Sequence, residues 1–143
     1  MTAIRDAQRQ KVYDWENEYV IGKDKSHVPF EQIQTIVNFV WGSEGLQHPP
    51  RVEELPKQCR VVGATGSRLK LRVPLTGLST TVILHELAHS MTSTHEGKSA
   101  HHGPRFVGVY MDLLTKYAGH DREALQRSAT ERGVRFNGKG KTV

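Results

Sequence analysis

Apolar residues fall along the chain in blocks, and their spacing within each block predicts the elements. Over residues 4–19, Ile4, Ala7, Val12, Trp15 and Tyr19 lie roughly on one side of a helix. Residues 20–29 are mixed and polar and read as a loop. In residues 30–41, Ile33, Ile36, Val37, Val40 and Trp41 take the i, i+3, i+4, i+7, i+8 positions of a core-facing stripe. Gly42, Gly45, Pro49, Pro50 and Pro56 then punctuate a connector over 42–57, with room for a short strand at Arg51–Leu55.

The period then shortens. Cys59–Gly63 and Leu69–Val73 are short runs with β-branched residues, and Ala64-Thr65-Gly66-Ser67 between them suits a hairpin turn. Leu69, Leu71 and Val73 alternate with Lys70 and Arg72, which predicts a half-buried strand. A helix follows from near Ser79, where Ser79, Thr80 and Thr81 offer capping hydroxyls, to about Met91. The polar stretch Thr92–Ala100 is a loop. Pro104 suits a first helical position, and Phe106, Val109, Tyr110, Leu113, Leu114 and Tyr117 form the stripe of the helix it opens. Gly119 ends that helix, Asp121 caps a last one to about Arg132, and Gly133 stops it. The pattern predicts an α+β fold of four to five helices around a two- to three-stranded sheet. It forms one domain over residues 1–136, and residues 137–143 are a flexible basic tail.

Composition narrows the class. A chain of 143 residues favours one domain, and 36% hydrophobic with 24% charged residues suits a soluble globule. No run approaches the roughly 18 apolar residues of a membrane span, and the first ten residues lack the apolar core of a secretory signal, so no membrane association is expected. Cys59 is the single cysteine; it cannot form an internal disulfide, and a reducing, cytoplasmic location is expected. In its strand it should be an inert buried thiol. The net charge of +5 permits weak attraction to nucleic acid or acidic partners, although the basic residues are dispersed apart from Lys139 and Lys141.

The histidines carry the chemistry. Five of the eight lie between residues 85 and 102. Residues 85–89 read His-Glu-Leu-Ala-His. On a helix His85 and His89 share a face one turn apart and both reach one metal ion. Glu86 is rotated by about 100° from His85, so it is free to hold an attacking water and take its proton. Ile83, Leu84, Leu87, Ala88 and Met91 cover the opposite face, so the helix can pack on the core and present its imidazoles to a cleft.

A catalytic zinc takes three protein ligands and keeps one position open. His95 stands six residues after His89, the metzincin spacing, but Thr92 replaces the glycine on which that turn depends. Glu96 is a carboxylate alternative, and His101 a neighbour read more simply as exposed. His102 directly precedes Gly103-Pro104, and a ligand at a packed helix start is better preorganised than one inside a loop. His102 is therefore preferred, with His95, His101 and Glu96 as competitors. Tyr110 could aim a hydroxyl at a reaction intermediate, but its place in the apolar stripe favours core packing. Asp112 is a lesser candidate for an acceptor behind a ligand imidazole. Arg105 reads as a solvated helix face, Trp15 and Trp41 as core, and His27, His48 and His120 as bystanders.

His-Glu-Leu-Ala-His, followed by His-His-Gly-Pro-Arg-Phe at 101–106 and the apolar stripe of Val109–Tyr117, resembles the HEXXH-type metallohydrolases of actinobacteria and their phages. The segments Arg5–Glu16 and Ala124–Phe136 carry the same resemblance, which spans nearly the whole chain and is weakest over 20–60. More distantly, the chain is similar to SprT-like and other compact zincins. The resemblance implies a zincin-like fold with the motif on a central helix, zinc on His85, His89 and His102, and Glu86 as the base. A zinc-dependent peptidase acting on protein or peptide is thus expected. Two alternatives stand beside it: a metallohydrolase of a non-protein substrate, and a basic nucleic-acid-associated module whose metal serves folding.

Overall fold

A computed structural model describes residues 6–56 and 63–137 of the chain. Among them are five α-helices and three short strands, the α+β arrangement expected: α1 (Arg9–Trp15), α2 (Phe30–Ser43), β1 (Arg51–Glu54), β2 (Thr65–Gly66), β3 (Lys70–Val73), α3 (Thr80–Met91), α4 (Pro104–Ala118) and α5 (Arg122–Glu131). No described helix is long and apolar enough to cross a membrane.

The first helix departs from the expected 4–19. It starts at Arg9, Ala7 lies in an exposed turn, and Ile4 is outside the described residues. After Trp15 the chain widens into a π-helical turn, Glu16–Val20, and tightens into a 3₁₀ turn, Ile21–Lys23. A π turn uses an extra residue, so the core side chain after Trp15 is Val20 and not Tyr19. Tyr19 instead lies half-buried under two cations, Lys23 and Arg132. The stripe of α2 is as expected, with Ile33, Val37, Val40 and Trp41 buried.

The sheet order is β1-β3-β2, with β1 parallel and β2 antiparallel to β3. The hairpin is displaced from its predicted register. Thr65 and Gly66, assigned to the turn, are themselves β2 and pair with Arg72 and Leu71. The turn is Ser67-Arg68-Leu69, closed by the Ser67 N–H donating to the Lys70 carbonyl at 2.9 Å. Leu69 is consequently exposed, while Leu71 and Val73 are sealed in the core. The strand expected at Cys59–Gly63 lies, with Cys59, largely outside the described residues. Gly66 sits flush on α3: a Cβ there would come within 2.3 Å of the Glu86 carbonyl oxygen. Only glycine lets the sheet approach the motif helix so closely.

The core lies between β3, α3 and α4, with Leu71, Ile83, Leu84, Leu87, Phe106, Leu113 and Leu114 buried. Val12 and Trp15 close it from α1, and the Trp15 indole N–H donates to Ser128 Oγ of α5 at 2.8 Å. Gly119 at φ 74° ends α4, and the Asp121 carboxylate caps α5 by accepting from the Ala124 N–H. Asn137, assigned to the tail, donates its N–H to the Pro104 carbonyl at 3.0 Å and packs against Gly108. The rest of the expected tail, 138–143, is outside the described residues.

The start of α3 is held from three sides. Ser79 Oγ accepts from the Val82 N–H at 3.2 Å, Ser26 Oγ from the Thr80 N–H at 2.9 Å, and Asp24 Oδ2 from the Thr81 N–H at 2.8 Å. Partial burial works to raise the Asp24 pKa, but the bonds from Ser26 and Thr81 prevail and hold it down at about 2. Because the folded value is below the ordinary 3.8, this contribution is full above pH 4 and fades as pH falls toward 2. Asp24→Ala is expected to cost about 1 kcal/mol at pH 7, below the full linkage value because the carboxylate is partly solvent-screened. Urea denaturation of both proteins at pH 7 and pH 2 should show that difference closing in acid.

Candidate metal centre

His85, Glu86 and His89 lie on one flank of α3 along a cleft of about 790 Å³. One wall is α1 and its π turn, with Arg9, Tyr13, Glu16 and Asn17. The other is Gly63–Gly66 with Leu78 and Val82. The third side is the segment before α4, which brings in His102. One ring nitrogen from each of His85, His89 and His102 lies within 4.8 Å of the others, so the three could hold a metal ion.

The loop after α3 decides which histidine joins the pair. Thr92 is buried, and its hydroxyl donates back to the Ala88 carbonyl at 2.8 Å, ending the helix. The chain then makes a narrow excursion: the Thr94 N–H donates to the Lys98 carbonyl at 2.8 Å, Gly97 turns at φ 93°, and the Ala100 N–H returns to Thr92. His95 and Glu96 sit at its exposed tip, away from the cluster. His101 adopts φ 53° and stays exposed at the cleft margin. His102 is turned inward and is 6% exposed.

Two of the imidazoles are backed by carboxylates. His85 Nδ1–H donates to Glu16 Oε2 at 2.6 Å, and the Tyr110 hydroxyl donates to the same oxygen. His102 Nδ1–H donates to Asp6 Oδ2 at 2.6 Å, while its backbone N–H donates to Asp6 Oδ1 at 3.0 Å. A carboxylate on Nδ1 fixes the tautomer and leaves the lone pair on Nε2. In His102 that Nε2 is buried without any hydrogen-bond partner among the described residues. An orphaned buried acceptor, converging with two further imidazoles, is the donor arrangement a bound cation would satisfy. His89 has no carboxylate among the described hydrogen bonds; its ring stacks on Phe106, 4.3 Å away between centroids.

Electrostatics follow from burial. Burial pushes His89 down to about 2, helped by the neighbouring histidines, so its imidazole is neutral. Burial also lowers His102, against the pull of Asp6. For His85 burial acts in the same sense, but Glu16 outweighs it and its pKa is raised. Burial raises Glu86 to about 7, opposed by His85 and reinforced by Glu16.

The sequence's preferred residues, His85, Glu86, His89 and His102, thus come together. Tyr110 packs in the core, as its stripe position requires, and its hydroxyl is committed to Glu16. Asp112 pairs with Arg122 and reaches no imidazole. Arg105 is exposed, as are His27 and His48, while His120 is half-buried outside the cleft. Sequence reasoning passes over Glu16 and Asp6. Glu16 has a readable signal, a carboxylate four residues after Val12 on the apolar side of its helix. Asp6 has none, because its partner is 96 residues away. Compared with protein-family models, curated proteins and solved structures, the chain has no match.

Replacing a carboxylate behind a metal-bound imidazole typically weakens metal affinity about 10–100-fold. Glu16→Gln and Asp6→Asn are each expected to do so in zinc titrations against a chromophoric chelator. In the same titration His102→Ala should lose tight binding, whereas His95→Ala and His101→Ala should match the parent.

Proposed function

We propose that the protein is a zinc-dependent metallopeptidase of zincin-like design. The observation that carries this reading is Glu86. It is a carboxylate in a cleft beside three converging imidazoles, set on the same helix as two of them and rotated away from both. A metal that served folding alone would need no such carboxylate. An all-imidazole donor set favours zinc over the harder divalent ions. His85, His89 and His102 would hold the ion, leaving a position open toward the cleft.

Zinc in such a site supplies a Lewis acid for a carbonyl oxygen and lowers the pKa of water to about 7. The chain's residues do the rest. Glu86 orients the attacking water, accepts its proton on a carboxylate oxygen, and delivers that proton to the departing amine. Glu16 and Asp6 keep the rings of His85 and His102 from rotating. Burial of His85, Glu86 and His102 restricts bulk water around them.

A peptide is favoured over other hydrolysable substrates by the sheet edge. The half-polar strand Leu69–Val73 would suit an extended peptide only as an exposed edge, and β3 is central and paired on both sides. The strand that borders the cleft is β2, whose only strand neighbour among the described residues is β3. An extended peptide can add beside Thr65–Gly66 through backbone hydrogen bonds. The single cysteine fits a reducing compartment, and we place the protein in the cytoplasm on that ground.

The test is digestion of casein and of a proteome-derived peptide library by zinc-loaded wild type, with and without chelator, beside Glu86→Gln. Wild type should cleave and the chelator should stop it. Glu86→Gln should bind zinc like the parent and lose about 10²–10⁴-fold in rate. Full activity in Glu86→Gln would refute the assigned base, and an intact library with wild type would refute the peptidase reading.

A further inference from the structure

Two phenols stand near the histidines, and their situations are opposite. Tyr110 is fully buried and gives its hydroxyl to Glu16. Tyr13 is half-buried and lines the cleft. It sits on α1 one turn after Arg9 and one turn before Asn17, so the three form a polar stripe along one wall. Its ring centroid is 5.0 Å from that of His102, edge-on, and 6.3 Å from that of His85, nearly parallel at 18°. No other tyrosine lines the cleft among the described residues.

Arg9 completes the arrangement. Its guanidinium carbon is 5.5 Å from the Tyr13 ring centroid, and its attraction to Tyr13 raises the Arg9 pKa above its ordinary value. A guanidinium has only donors, so Arg9 cannot accept from the phenol. The Tyr13 O–H is then left to donate to something else, with a positive charge beside it that strengthens it as a donor. If the ring served only to back His102, a phenyl group would suffice.

We propose that Tyr13 is a catalytic residue of this cleft, donating a hydrogen bond from its hydroxyl to the scissile carbonyl oxygen as negative charge develops there. The inference rests on the peptidase reading above and adds a member to that site. The phenol proton stays on Tyr13 throughout, and no bond to Tyr13 is made or broken. The gain comes from a donor held on the cleft wall beside the histidines, near an oxygen whose charge grows in the transition state. Such a donor contributes more to turnover than to ground-state binding.

Tyr13→Phe tests this, because it keeps the ring and removes only the hydroxyl. The substrate is the peptide that wild type cleaves fastest in the library. Zinc affinity, measured by chelator competition, should stay within about two-fold of wild type, since no carboxylate behind a ligand is altered. KM should change little and kcat should fall by about 10²-fold, the scale for loss of one oxyanion donor. A phosphinic analogue of the same peptide, whose tetrahedral oxygens imitate the reacting centre, should bind Tyr13→Phe at least about ten-fold more weakly by calorimetry. Unchanged kcat and analogue affinity in Tyr13→Phe, with Glu86→Gln inactive, would overturn the role of Tyr13 and leave the peptidase reading standing. Weakened zinc binding would overturn it too, making Tyr13 a positioning residue for His102. If wild type cleaves nothing, the peptidase reading falls and takes this role with it.

Discussion

A carboxylate sealed inside a protein is tolerated only where its oxygens are partnered, and Glu16, at 3% exposure, has two partners on one oxygen. His85 reaches it from α3 and Tyr110 from α4, while Glu16 itself opens the π turn after α1. Three segments are thereby fixed at a single point, because separating any of them strands a polar group in the core. Among the described residues neither lysine nor arginine pairs with this carboxylate, so its charge is left facing the imidazole cluster. A buried histidine–carboxylate pair of this kind is weak evidence for added stability. Its effect is geometric: it commits Nδ1 of His85 and turns Nε2 toward the cleft.

The second carboxylate works on a different part of the chain with the same chemistry. Asp6 grips His102 by both its ring and its backbone N–H. Gln8 then ties the two ends of the described fold together behind it. Its amide donates to the carbonyls of His102 and Arg135, and its oxygen accepts from the Arg135 N–H. His102 follows a polar excursion with little burial of its own, so without this strap its ring would have rotamer freedom to lose on binding an ion. The motif helix is fixed by comparable means, with Asp24 and Ser26 at its start and Gly66 lying against its backbone at Glu86.

Elements whose signals are local agree with the sequence. The cap at Ser79, proline at the head of α4, glycine at 119 and the Asp121 cap each act within one helical turn, and the boundaries fall where those residues place them. Elements that depend on remote contacts do not. The widened turn at Glu16–Val20 exchanges Tyr19 for Val20 in the core, a shift that the periodicity of an ordinary helix cannot anticipate. Thr65-Gly66 has the composition of a turn, yet becomes strand because β3 pairs with it and α3 leaves room for nothing larger than glycine.

The candidate site divides along the same line. The sequence alone determined that His85 and His89 share a helix face with Glu86 rotated beside them, because that relation depends only on helical pitch. It also ranked His102 above His95, from the proline that anchors one and the absent glycine that disfavours the other. Tertiary structure decided the rest: the carboxylate behind His85, the one behind His102, the strand that borders the cleft, and which tyrosine faces it. Those partners are separated by 69 and 96 residues in the two histidine–carboxylate pairs. Spacing along a chain encodes what one element presents on its faces. Which remote group meets that face is set by the packing of a whole core, where a single π turn or a missing Cβ changes the answer.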